Sequence, residues 1–225
     1  MAAQEITSNI SYVAPLFALI GVITGSALTW VKDWLLQKKS NYRNACYLAV
    51  RVVCVLDQFA MDCLDVAYDD GLVDGQMDYQ NGRSPQVEVP NCVHLPDDVK
   101  WESIDVKLTY KALSIPARLA AGKDRVSQVA EFDGGPYDDT MEERQYQFAI
   151  LGLYVLNIAG EFRRLFNVPE LDHLDFSPTE RLGSIKQQIE ESREKHRIRL
   201  QELEREDREA ENTSLQDAKN GEQQE

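Results

Sequence analysis

The sequence predicts an all-α chain, in which a single N-terminal transmembrane helix precedes a cytoplasmic three- or four-helix bundle with a charged, partly projecting C-terminal helix. Three observations predict it. No charged residue stands between Glu5 and Lys32, a gap of roughly 26 residues against the ~20 that a bilayer core demands of a helix. Later stretches place apolar residues at alternating three- and four-residue spacings, the period of a helix with one buried face. The end of the chain is dense in Glu, Lys and Arg with few apolar positions, the pattern of a solvated helix carrying ion pairs.

Residues 1–11 form a short polar tail. Ala2 stands where myristoylation needs glycine. Asn9, Ile10 and Ser11 spell a glycosylation sequon that abuts the span and is read as chance. The span is placed at 12–36, with Tyr12 at one end and Trp30 and Trp34 at the other. A helix separates Tyr12 from Trp30 by about 27 Å, which suits aromatic belts at both interfaces. Lys32, Lys38, Lys39 and Arg43 follow, whereas only Glu5 precedes. The positive-inside rule then puts the N-terminus outside and the rest in the cytoplasm, across the plasma (inner) membrane. Tyr12, Trp30, Trp34, Lys38, Lys39 and Arg43 are the interfacial anchors.

Two other readings compete. A cleaved signal peptide would need a basic region ahead of its apolar core, and none is present. A buried core helix is the second, because Gly21, Thr24, Gly25, Ser26 and Thr29 dilute the hydrophobicity. Gly21 and Gly25, continued by Thr29, also make a small-residue face through which two spans could pack in lipid.

The bundle occupies 37–176. Its first helix runs from about Asn41 to Tyr68, with Ala45, Ala49, Val52, Leu56, Phe59, Cys63 and Val66 on one face. Cys46, Val53, Ala60 and Ala67 widen that stripe on one flank and Leu48 and Val55 on the other, leaving Arg51, Asp57, Gln58 and Asp65 for water. So broad a stripe belongs at a bundle's centre. Ser40 and Asn41 could break the helix; otherwise it continues the span as one rod. Asp69 to Asp98 is a loop, rich in Gly, Pro, Asn and Asp at turn positions. A loop that long is a candidate contact surface. Asp70, Asp74 and Asp78 do not make an EF-hand, since Leu72 stands where an oxygen ligand is required. Cys92 and His94 could hold a metal only with a distant partner such as His173, so no metal or cofactor is expected.

A second helix should start after Pro96, capped by Asp97 or Asp98, and carry Trp101, Ile104, Leu108, Ala112, Ile115 and Leu119 on one face. Pro116 should kink or break it near Ser114. It resumes toward Val126, Val129 and Phe132 and ends at Asp133, Gly134, Gly135 and Pro136. Thr140 to Glu143 reads as a capping box opening a third helix, with Phe148, Leu151, Val155, Ile158, Phe162 and Leu165 as its core face. Ser177, Pro178 and Glu180 supply the cap, first and third positions of a charged C-terminal helix over 177–210. Leu182, Ile185 and Ile189 dock it, then Ser192 and His196 interrupt the stripe and Leu200 and Leu203 resume it weakly. A coiled coil is the sharper reading of that arm, with His196 at a core-like position. Residues 211–225 are expected to be a disordered tail.

A formal charge of −14 opposes binding to nucleic acid. Thiols of the four cysteines would stay reduced on the cytoplasmic side. No GxSxG, HExxH or Walker lysine is present. The function expected is that of a non-enzymatic, membrane-anchored scaffold or adaptor, with the lipid bilayer, a cytoplasmic protein and a second copy of the chain as partners. The alternative is a membrane effector whose oligomerised spans perturb the bilayer, and an enzyme with an unrecognised site ranks third.

Overall fold

A computed structural model describes the backbone at residues 2–73, 83–132, 139–170 and 176–222, and side chains within these at 21–73, 83–131, 139–170 and 176–209. All its regular elements are helical, and no strand occurs among the described residues. They are α1 (Ala2–Tyr68), a 3-10 turn at Trp101–Ser103, α2 (Val106–Leu113), α3 (Ile115–Phe132), α4 (Asp139–Phe166) and α5 (Pro178–Glu222).

Helix α1 is continuous, so Ser40 and Asn41 do not break it. The Gln37 side chain donates to Asn41 Oδ1 at 3.0 Å, which keeps the asparagine from competing for the backbone. The seven stripe residues from Ala45 to Val66 are all buried. Asp57, assigned to water by the periodicity, is instead nearly buried and ion-paired with Arg163 of α4.

The expected span at 12–36 is not borne out as such: among the described residues no helix is long and apolar enough to cross a membrane. The reason lies in composition, since Gly25, Ser26, Thr29, Lys32 and Asp33 interrupt the apolar residues that follow Gly21. The more continuous run from Val13 to Ile20, and Tyr12 with it, lies outside the described side chains.

Between α1 and α2 the described residues are non-helical apart from the 3-10 turn; Asp74 and Asp78 lie outside them. The helix start expected at Asp97 or Asp98 is displaced. Asp98 pairs with Arg51 at 2.7 Å, and Asp105 is the cap of α2, its carboxylate accepting from the Lys107 and Leu108 amides. The break near Ser114 occurs as expected: α2 ends at Leu113 and Pro116 enters α3 at its second residue, where no intrahelical donor is lost. The terminator at Asp133 to Pro136 lies outside the described residues. Helix α4 already contains Thr140, so Glu143 is no capping residue but a buried carboxylate on the helix flank. Asn167 at φ 53° closes α4, with the Val168 amide donating to the Arg163 carbonyl at 3.1 Å, a left-handed stop. Leu165, placed on the core face, is exposed. The Ser177 cap of α5 is as expected, its hydroxyl accepting from the Glu180 amide at 3.4 Å. Helix α5 runs on to Glu222, into the stretch expected to be disordered.

Contacts along the core fix the helix directions. Asp57 pairs with Arg163 and Asp69 with Arg144, so α1 and α4 are antiparallel. Gly152 lies against Leu182 and Glu142 pairs with Arg193, so α4 and α5 are antiparallel too. Helices α1 and α5 therefore run the same way, and the exposed stretches 21–39 of α1 and 194–209 of α5 leave opposite ends of the bundle.

Candidate functional site

Three places gather chemistry. The first is the start of α1. From Gly21 to Lys39 every side chain is exposed, and Val22, Ile23, Leu28, Trp30, Val31, Trp34, Leu35 and Leu36 are among them. At 100° per residue these apolar groups fall on all sides of the helix. A Cβ at Gly21 or Gly25 would meet nothing within 4 Å, so no packing inside the chain demands glycine there. The Thr24 hydroxyl donates to the Gly21 carbonyl at 3.1 Å and that of Thr29 to the Gly25 carbonyl at 3.0 Å. Trp30 and Trp34 are exposed, Lys38 Nζ sits 5.3 Å from the Trp34 ring, and Lys39 and Arg43 point to solvent. The described anchors Trp30, Trp34, Lys38, Lys39 and Arg43 thus stand exposed along one helix and do not converge on a pocket.

The second is a clamp that periodicity alone did not reveal. Asp69 Oδ1 accepts from the Gly71 amide at 3.0 Å, and Oδ2 from the Gln86 and Val87 amides at 2.8 and 2.9 Å. Arg144 adds a bond from Nη1 to Oδ2 at 2.8 Å and donates Nη2 to the Val87 carbonyl. Burial alone would raise the Asp69 carboxyl; the three amides and the guanidinium outweigh it and hold it below the ordinary carboxylate range. Gly71 at φ 75° makes the turn, and a Cβ there would stand 2.9 Å from that of Arg83. The clamp ties residues 84–87 to the head of α4. Both its charges lie in core register, Asp69 three residues after Val66 and Arg144 four before Phe148. That misplaced polarity was the available signal.

A related cluster fastens α5. Arg193 reaches Glu142 at 2.8 Å and Glu143 at 2.7 Å and lies over the Tyr146 ring at 4.5 Å. Tyr146 donates to Glu190 at 2.9 Å. Burial would lower Arg193, but the two carboxylates prevail and raise it. Beyond this point His196 is exposed, as are Leu200 and Leu203, so α5 projects.

The third is Cys92 with His94, whose Sγ and Nε2 are 2.9 Å apart. No group of three or more His, Cys, Asp or Glu able to hold a metal occurs among the described residues, and His173 lies outside them. Cys63 is buried against Gly152, and burial pushes its thiol far up.

No known family model matches the chain, and neither curated proteins nor solved structures yield a match.

Proposed function

We propose that the chain is a non-enzymatic, membrane-anchored helical scaffold or adaptor, its bundle cytoplasmic and its α5 arm presented to a cytoplasmic protein. The observation that carries this reading is the all-round apolar surface of α1 from Val22 to Leu36. One docked partner needs one apolar stripe, whereas an apolar circumference matches a medium that surrounds the helix. In the sequence the uncharged, largely apolar run extends back to Tyr12, giving the length a bilayer asks for. The basic residues Lys38, Lys39 and Arg43 follow on the bundle side, which sets the bundle in the cytoplasm by the charge rule.

The threonine hydroxyls favour a scaffold over a membrane effector. Those of Thr24 and Thr29 are bonded back to their own helix, which suits lipid better than a water-filled seam between spans. The open space over Gly21 and Gly25 leaves room for a second copy on that face. Sodium carbonate extraction of membranes from expressing cells tests the anchor. Retention in the membrane pellet is expected, and release into the supernatant would overturn it. Crosslinking in the same membranes should trap a dimer that Gly21→Ile with Gly25→Ile removes.

A further inference from the structure

We propose that Cys92 is a modification site, a thiol made reactive toward hydroperoxides by His94. The backbone from Asn91 to Leu95 sets up the pair. Val93 is 9% exposed and belongs to the core cluster, while its neighbours Cys92 and His94 are both exposed. Cys92 and His94 flank the inward-held Val93 and both stay outward, so the thiol and the imidazole meet at the surface. The Leu95 amide donates to the Val93 carbonyl at 3.1 Å and holds the bend. Sγ then lies 2.9 Å from Nε2 and 3.9 Å from Nδ1 of the same ring, a nucleophile with a base in hydrogen-bond reach.

The other thiols lack this arrangement. Cys63 is buried and its ionisation opposed by burial. Cys46 is half-buried beside the Tyr42 hydroxyl. Cys54 is exposed on α1 and has no imidazole beside it among the described residues, which makes it an internal control.

The chemistry balances with a hydroperoxide as oxidant. His94 Nε2 takes the thiol proton, the sulfur attacks one peroxide oxygen, and the S–O bond forms as the O–O bond breaks. The imidazolium returns its proton to the departing oxygen, which leaves as water when the oxidant is hydrogen peroxide. Sulfur loses two electrons to the peroxide and becomes a sulfenic acid. Access matters as much as the base, and the exposed loop supplies it.

The test treats the full-length protein with hydrogen peroxide, traps sulfenic acid with dimedone and quantifies each cysteine peptide by mass spectrometry. Cys92 should label about tenfold faster than Cys54, since a general base at hydrogen-bond distance accelerates proton removal by at least that much. His94→Gln should bring Cys92 down to the rate of Cys54, with the rate at Cys54 and the circular dichroism unchanged. Equal labelling of Cys92 and Cys54 in the native chain, or a His94→Gln chain whose Cys92 labels as fast as before, would overturn the proposal.

Discussion

Asp69 shows how much one side chain can hold. Its carboxylate satisfies three backbone amides and a buried guanidinium, so removing its charge strands Arg144 without a counter-ion in a place closed to water. Asp69→Asn should cost about 3–5 kcal/mol, the range for breaking a buried pair from one side. Denaturation of the full chain in mild detergent, followed by circular dichroism, measures it. The pH dependence has a definite sign. The folded carboxyl is held below its ordinary value, so its contribution is present above the unfolded pKa and lost as pH falls through the folded one. Native and Asp69→Asn stabilities should therefore converge under strongly acid conditions; a gap that persists there would show that shape rather than charge carries the effect. The clamp was half legible in the sequence. A charge in core register is visible at Arg144 and Asp69, but which loop amides close around it depends on a left-handed turn at Gly71 and on a chain return at residues 84–87 that no local pattern encodes.

Helices were more readable than their ends, because a buried stripe repeats and a cap is a single competition. The stripes of α1 and α4 emerge at their predicted residues apart from the exposed Leu165, and in α5 Leu182 and Ile189 are buried while Ile185 is partly so. The cap after Pro96 was expected at Asp97 or Asp98, but Asp105 holds that place, and Asp98 is drawn instead to Arg51. Glycine inside a helix was the poorest guide, since Gly152 and Gly160 look alike in sequence and differ in space. A Cβ on Gly152 would stand 2.8 Å from Leu182 Cδ1 and 3.2 Å from Cys63 Cβ, whereas one on Gly160 would meet nothing within 4 Å. The leucine methyl can rotate away; Cys63 Cβ is fixed to α1. Gly152→Ala should thus prise α1, α4 and α5 apart at their closest approach and cost about 1–3 kcal/mol. Gly160→Ala should instead stabilise α4 by about 0.5–1 kcal/mol through the lost freedom of the unfolded chain. Thermal melts of the two variants decide, and shifts of the same sign would refute the close-packing account.

At the scale of the whole molecule the chain separates into a folded middle and two overhangs of different physics. Helix α5 past Arg193 extends roughly 44 Å at 1.5 Å per residue, and its described part carries exposed pairs such as Arg197 with Glu194 and Arg205 with Glu209, each weak because solvent screens it. The α1 overhang is the opposite case, apolar and without ion pairs of this kind at Lys39 or Arg43. The sequence left its continuity open at Ser40 and Asn41, where the helix in fact runs on, and what surrounds it is set by a medium outside the chain. Because every side chain from Gly21 to Lys39 is exposed and the core begins at Ala45, the bundle core takes no buried side chain from residues 21–39. A chain beginning at Lys38, which keeps the whole stripe from Ala45, should therefore melt within a few degrees of the full-length protein, the scale that separates intact cores from those missing a core contact. The same truncation should abolish retention in carbonate-washed membranes and improve behaviour without detergent. If instead the shortened bundle fails to fold while the full chain melts cooperatively, the overhang is part of the core of a larger assembly, and its apolar circumference is covered by protein rather than by lipid.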